Sequence, residues 1–527
     1  MKDLIKKIKP YLPYLIALIG GGILTYAFAP YDIGIAGIIS LSILLWAITK
    51  QPPKKAFYIG WCYGLGMFGM GVNWVFFSIH VYGNTAPWLA AIITGLFVIL
   101  MGIYPALFSW TLNKFFNKHD LVRTLVIFPA LWTVFEIARG WLFTGFPWLY
   151  LGYSQMGSQL HSFAPIGSVF AVSWAAALVS SLLYNIIMYY FENKSTPKLR
   201  NQLFATLLGV WVIAFGCGKI KGTEVSDEVI EVALVQGNIP QMMRWDPEHV
   251  ANIVQTYRTL TDKVLGTTQI IVWPEGAIPV PLPESQQFFR EMGALARASQ
   301  AALISGVPTQ LADQRHYYNS IVAVGLAGPN NNGCENYEMP GCSYDKSHLV
   351  PFGEYVPFES ILRGIIAFLN LPMSSFVEGP SNQSPLIAQG LHFAPALCYE
   401  IAYPFYVQHI SKEADFILTI SNDTWFGDTI GPLQHLQIAQ FRALETGKYV
   451  IRGTNNGYTA LIQPNGKIQA LANPNEATVL AGEVTLMKGQ TIWVRFGIWP
   501  LLAALVLTLG GGYYWQDRKR MKLFKAR

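Results

Sequence analysis

The stretch FAPALCYE, residues 393–400, decides the fold of the second half of this chain. Its first part is apolar at every position, so as a strand it has no face to offer water and needs cover on both sides. It ends on Cys398, Tyr399 and Glu400, where a rigid sheet can aim a thiol, a phenol and a carboxylate into one pocket. Outward from it, VIEVALVQ (229–236), QIIVW (269–273), ALISGV (302–307), NSIVAV (319–324), FILTIS (416–421) and YVIRG (449–453) read as further strands. Helices supply their cover: Asp246 with Pro247 caps a run to about residue 265, Glu284 opens one to about 300, and Pro432 begins one that Gly447 ends. The pattern predicts an α/β sandwich with a late hairpin at Asn465 and Gly466.

The rest of the chain is unlike this. Of 527 residues, 52% are hydrophobic and 13% charged, the latter about half the roughly 25% usual in soluble domains. Apolar runs long enough to cross a bilayer lie before about residue 220 or after about 490. Eight spans are predicted, at residues 11–29, 33–48, 56–79, 87–112, 121–138, 163–190, 203–218 and 496–515. The expected domains are therefore 1–220 with seven transmembrane helices, 221–492 as the exported sandwich, and 493–527 with the eighth helix and a basic tail. The first span opens a serial hairpin array without an obvious cleavage site, so it is expected to stay in the membrane.

Lysine and arginine set the orientation, since positive loops stay cytoplasmic. Lys2, Lys6, Lys7 and Lys9 precede the first span, Lys50, Lys54 and Lys55 follow the second, and Lys114, Lys118 and Arg123 follow the fourth. Lys194, Lys198 and Arg200 follow the sixth, and Arg518 to Arg527 the last, whereas the alternate loops are nearly bare apart from Arg139. Both termini are expected in the cytoplasm and residues 221–492 on the far side. The net charge of +6 conceals this asymmetry, because residues 219–495 carry more acidic than basic side chains. No concentrated basic face remains for a nucleic acid, and the basic flanks suit anionic headgroups.

Three polar positions carry the chemistry: Glu275 after the strand QIIVW, in VWPEGAIP; Lys346 in YDKSHLVPFGEYVP, which also holds Glu354; and Cys398. A free thiol titrates near 8.5, so a nucleophilic cysteine needs a base or a positive charge beside it. Glu275 fits the base, and Lys346 fits a cation that pairs with the carboxylate and then stabilises an oxyanion. Taken singly, a strand-end cysteine reads as packing, a loop lysine as solvated and Glu275 as a helix cap; together, with Pro274 and Pro279 fixing the turn, they outweigh those readings. Cys62 and Cys217 fall within spans and read as small apolar residues. Cys334 and Cys342 bracket CENYEMPGC closely enough for a disulfide in an oxidising compartment, against two free thiols. His316, His348, His392, His409 and His435 lack ligand spacing, so no metal is expected; His348, inside the lysine motif, is the one singled out, as a hydrogen-bond partner.

The segments WPEGAIP, YDKSHLVPFGEYVP, ALCYE and SNDTWFG, with FAPYD near the first span and GFPWLYLGYSQ after the fifth, resemble the apolipoprotein N-acyltransferase family, the membrane-bound branch of the carbon-nitrogen hydrolase (nitrilase) superfamily. The resemblance covers essentially the whole chain. It implies an α-β-β-α sandwich beside a helical bundle, Glu275 as general base, Lys346 as oxyanion stabiliser, and Cys398 as the thioester-forming nucleophile. It also implies supporting roles for Glu354, Tyr399 and Glu400, a substrate contact at Trp245, and no cofactor. The expected partners are a phospholipid acyl donor and a diacylated apolipoprotein acceptor in a bacterial inner membrane.

Each buried methylene contributes about 0.8 kcal/mol, so an acyl chain must reach the thiol without full extraction into water. Trp141, Phe143, Phe146, Trp148 and Tyr150 are expected to line that entrance, with Phe146 and Trp148 as substrate contacts; an aromatic belt without substrate contact is the alternative. Residues 356–376, apolar for an exported loop, are expected to form a lid, or else a helix packed on the domain. Glu136 and Arg139 read as an interfacial ion pair at i, i+3, and GWCYGLGMFGMG (60–71) as close helix packing. Two rival functions remain, a membrane-tethered amidase that hands the acyl group to water, and a transporter or receptor with an exported sensing domain.

Overall fold

The computed structural model describes residues 9–191, 196–220, 222–331, 333–334, 337, 339–351, 353–355 and 375–525. The chain divides into two compact units, one made of Met1–Phe76, Ala86–Lys221 and Phe496–Arg527, the other of Phe77–Thr85 and Gly222–Arg495.

The described residues of the first unit form helices and no strands. Among the described residues, three helical stretches are long and apolar enough to cross a membrane, Pro87–Phe115, Gln159–Phe191 and Pro197–Cys217, and a fourth if Pro53–Gly71 and Trp74–Tyr82, bent by 57°, count as one span. The first two expected spans are shorter apolar helices, Leu12–Ala27 and Gly34–Ile48. Small residues bring backbones together as the glycine run predicts: a methyl group on Gly66 would meet the Leu18 carbonyl oxygen at 2.0 Å.

Glu136 and Arg139 correct their expected reading. Both are buried, and each also hooks the segment that follows their helix. Glu136 Oε1 accepts from the Leu151 N–H at 2.7 Å and the Trp132 indole at 3.0 Å, while Arg139 donates to the carbonyls of Phe146, Trp148 and Leu149. Buried charges demand such partners, and here they fix the path of residues 146–151.

The second unit contains two six-stranded sheets. The strands are β1 (Thr223–Gln236), β2 (Ile270–Val272), β3 (Ala302–Gln310), β4 (Tyr317–Gly325), β5 (Ser343–Asp345), β6 (Leu386–Ala388), β7 (Leu391–Leu397), β8 (Phe416–Ser421), β9 (Val450–Thr454), β10 (Ala460–Ile462), β11 (Ile468–Leu471) and β12 (Thr478–Gly489). One sheet runs β12-β1-β2-β3-β4-β5, the other β11-β10-β9-β8-β7-β6. Each has a parallel trio at its centre, β1-β2-β3 and β7-β8-β9, flanked by antiparallel strands.

Strand periodicity separates two cores. Val232, Leu234, Ile270, Val272, Ala302 and Ile304 face the inter-sheet core, where Phe393, Leu397, Leu418 and Ile451 meet them. Their neighbours Ala233, Val235, Ile271, Trp273 and Leu303 face outward onto Ile253, Tyr257, Phe289 and Met292 of the helices Val250–Asp262 and Leu282–Ala298. This is why the strands read as apolar on both faces. Helices Pro404–Ile410 and Gly431–Thr446 cover the other sheet, completing four layers.

Three strands were not expected. β12 pairs antiparallel with β1 from Thr223↔Gly489 to Gln236↔Thr478, yet its mixed polar sequence gives no clean alternation. β5 and β6 span three residues each, too few to show a period. The late hairpin forms between β10 and β11, with Gly466 at positive φ. Residues 356–374 of the expected lid lie outside the described residues.

Candidate active site

Glu275, Lys346 and Cys398 come off the ends of β2, β5 and β7. Open α/β sheets gather their chemistry at the carboxyl ends of parallel strands, and β2 and β7 are such strands. Glu275 is seated by a close approach: a methyl group on Gly306 would meet the Glu275 Cα and the Pro274 carbonyl oxygen at 2.7 Å each. Its main chain is held by Arg244, whose buried guanidinium donates to the carbonyls of Glu275 and Gly276.

The Glu275 carboxylate accepts from the Asn319 amide at 2.8 Å and from the Asn422 backbone N–H at 2.8 Å. Lys346 Nζ lies 3.8 Å from Glu275 Oε1 and donates to Glu354 Oε1 at 2.9 Å. Glu354 also accepts from Asn319 and from the Val350 N–H. Lys346 is thus a fully buried ammonium between two carboxylates. Burial works against its charge, but Glu354 first, then Glu275 and the Cys398 sulfur, raise its pKa well above the ordinary lysine value. It stays an ammonium at any working pH.

Cys398 departs from ordinary backbone geometry. Its φ is +53°, a conformation that costs an L-residue about 1–2 kcal/mol and survives only when its surroundings enforce it. Glu400 supplies one restraint. Its buried carboxylate accepts from the Leu397 N–H at 2.8 Å on one oxygen, and from Ser347 N–H, His348 N–H and the Tyr344 hydroxyl on the other. It therefore ties the cysteine turn to the loop that begins at Lys346. Cys398 as a residue is half-buried. Burial and then Glu275 push its pKa up while Lys346 and the Ser421 hydroxyl pull it down, and the balance leaves it well above the ordinary value. Burial thus favours the protonated form of this thiol.

Sequence reasoning passed over the cluster behind the sulfur. Ser421 Oγ lies 3.4 Å from Cys398 Sγ and 2.6 Å from Asp423 Oδ1. Asp423 pairs with Arg452 at 2.6 Å, and His435 contacts both Asp423 and the Cys398 carbonyl at 3.1 Å. The loop after Asn422 is braced by Phe77–Thr85, where Ser78 Oγ donates to the Trp425 carbonyl at 2.6 Å and Tyr82 packs on the Trp425 ring at 5.4 Å. Ser421, Asn422 and Asp423 sit in SNDTWFG, the one signal that pointed to them.

The family model for the apolipoprotein N-acyltransferase N-terminal domain matches residues 20–182, and that for carbon-nitrogen hydrolase matches residues 231–492. An apolipoprotein N-acyltransferase of Azotobacter vinelandii is 40% identical over 94% of both chains. The chain belongs to the apolipoprotein N-acyltransferase family. Another member, from Vibrio parahaemolyticus, is 40% identical over 96% of this chain and 97% of its own. A solved carbon-nitrogen hydrolase from Helicobacter pylori G27 is similar to 52% of this chain and 94% of its own, at 17% identity and a TM-score of 0.35.

The remaining expected residues of this family member divide. Tyr399 is buried and meets Tyr403 edge-on at 5.2 Å. Trp245 is 41% exposed, beside the Arg244 that holds Glu275. In the first unit Trp141 and Phe143 are exposed, whereas Trp148 and Tyr150 are buried, Trp148 against Trp74 at 5.2 Å and Phe146 at 6.3 Å. Trp148 therefore packs the interior rather than lining an exposed entrance. His348 stacks on Tyr403 and Tyr406, and its N–H anchors Glu400. Cys334 and Cys342 are disulfide-bonded. Among the described residues no group of three or more His, Cys, Asp or Glu is arranged to hold a metal.

Proposed function

We propose that this protein transfers a fatty acyl chain from a membrane phospholipid, through a Cys398 thioester, to the α-amine of the diacylglyceryl-modified N-terminal cysteine of an apolipoprotein. The observation that carries this reading is that Glu275, Lys346 and Cys398 come off the ends of β2, β5 and β7, with Lys346 Nζ 3.8 Å from Glu275 and Cys398 held at positive φ, in a chain of this family.

In the first step Glu275 takes the thiol proton as sulfur bonds to the ester carbonyl carbon. The oxyanion develops beside the Lys346 ammonium, which Glu354 keeps charged and oriented. Collapse expels the lysophospholipid oxygen, which receives the proton from Glu275, and leaves the thioester. In the second step the acceptor amine attacks; free α-amines titrate near 8, so a usable neutral fraction exists. Glu275 takes its proton and returns it to the departing sulfur, and an amide replaces the thioester.

An aliphatic donor explains the apolar helices. The reading includes eight spans, cytoplasmic termini and a sandwich on the outer face of a bacterial inner membrane, so that donor chains stay in lipid while the ester meets the thiol. Trp245, Phe146, Trp141 and Phe143 are the proposed apolar contacts. The test is mass spectrometry of the purified protein after incubation with phospholipid. A fatty-acyl mass on the Cys398 peptide, discharged by a diacylated lipopeptide and stable to water, supports the reading; discharge by water alone would instead favour an amidase.

A further inference from the structure

Resting on the reading of Cys398 as the nucleophile, we propose that His435 is a positioning residue for it, with its imidazole pinning the Cys398 carbonyl and the Asp423–Arg452 pair fixing the ring.

The strained turn at Cys398 is restrained on its amino side, where Glu400 holds the Leu397 N–H. Beyond the cysteine the chain runs on as the helical turn Cys398–Ala402, and a bond to the Cys398 carbonyl adds a side-chain restraint on the peptide plane that follows the thiol. His435 supplies it from the helix Gly431–Thr446. The Cys398 carbonyl can only accept, so the Nε2 atom at 3.1 Å carries the hydrogen. Nδ1 lies between the Asp423 Oδ1 atom at 3.1 Å and the Arg452 Nη2 atom at 3.2 Å, which together hold the far edge of the ring. Burial, and then the Arg452 guanidinium, lower the imidazole pKa, while the Asp423 hydrogen bond and charge raise it, and the balance is downward.

Arg452 is in turn fixed by Asp423, which also accepts from Ser421, the side chain that touches the sulfur. Burial raises the Asp423 pKa, but Arg452 and His435 outweigh it and leave the carboxyl below its ordinary range. Carboxylate, guanidinium and imidazole are each within 1% of complete burial and bonded to one another, the enclosed arrangement that a positioning device requires.

The experiment compares His435→Gln, whose amide reaches as far as Nε2, with His435→Asn, the same amide one methylene short. The full chain in phospholipid nanodiscs is treated with iodoacetamide across pH 6–10, and alkylation of the Cys398 peptide is followed by mass spectrometry, which separates it from Cys62 and Cys217. A misplaced thiol is expected to lose about tenfold or more in rate. His435→Asn should show that loss and a displaced pH profile, with His435→Gln close to the unsubstituted protein. The proposal is overturned if His435→Asn keeps the unsubstituted profile, if His435→Gln is as impaired as His435→Asn, or if His435→Asn alone loses its thermal unfolding transition, which would make the residue scaffold. Alkylation needs no acyl donor, so the Gln/Asn difference would stand even if no acyl-enzyme formed with phospholipid, and the two readings fail separately.

Discussion

Two buried charge clusters flank the same sulfur, and they are built to opposite ends. Around Lys346 one cation faces two carboxylates whose side chains stay 9–11% exposed, so the group is not fully closed. Around Asp423 the carboxylate, guanidinium and imidazole are all within 1% of complete burial and their contacts turn inward. The first arrangement has an excess of acceptor and a place for a proton to go. The second is closed, and its contact with the reaction runs through the Ser421 hydroxyl and the Cys398 carbonyl.

Substitutions separate the two. Removing the nucleophile gives the largest effect: Cys398→Ala should abolish the acyl adduct and lower lipopeptide N-acylation by at least about 10⁴-fold. The same change made in both clusters then tests the contrast. Arg452→Met leaves Asp423 as an unpaired buried charge and should cost about 3–5 kcal/mol of stability, read as a lowered unfolding midpoint in detergent, with a smaller loss of rate through His435. Lys346→Met should cost about 10²–10³-fold in acylation rate. If Lys346→Met lowers stability but leaves the rate intact, the assignment of the open cluster to catalysis is wrong.

Two smaller effects sharpen it. Tyr344→Phe removes one hydrogen bond to the Glu400 carboxylate and should cost about 1.5–3 kcal/mol, measured by thermal unfolding. The raised Cys398 pKa predicts that alkylation keeps climbing with pH past 8.5, where a free thiol begins to level off. A plateau below pH 8 would mean a preformed thiolate and no need for Glu275 as base.

Much of the site was legible because its parts are local. Glu275 and Cys398 each follow a continuous apolar run that reads as a buried strand, whereas Lys346 was marked by the motif YDKSHLVPFGEYVP, since β5 is too short to read. Asn319, Arg244 and Arg452 could not be read that way. Asn319 lies within β4 between Tyr318 and Ser320, and Arg452 within β9 between Ile451 and Gly453, where a polar residue in a strand looks like a solvent-facing position. Arg244 follows two methionines in a short helix without a pattern. Among the histidines attention fell on His348 for its motif, while His435 is one side chain in an amphipathic run and gains meaning only when the Gly431–Thr446 helix meets the cysteine turn. The burial of Trp148 could not be read for the converse reason: an aromatic-rich segment reads as an entrance, but Arg139 and Glu136 draw its backbone inward and bury the ring.

The sequence alone determined the division into an apolar part and a sandwich, the strands that fill the inter-sheet core, and the three side chains that could make a thiol reactive. Those properties depend on neighbours in the chain, which periodicity and composition record. Only the tertiary structure decided which buried polar groups complete the site and the left-handed turn at Cys398. Hydrogen bonds between residues such as Asn422 and Glu275, 147 positions apart, exist only once β2 and β8 are brought into the same fold, and no local pattern encodes that meeting.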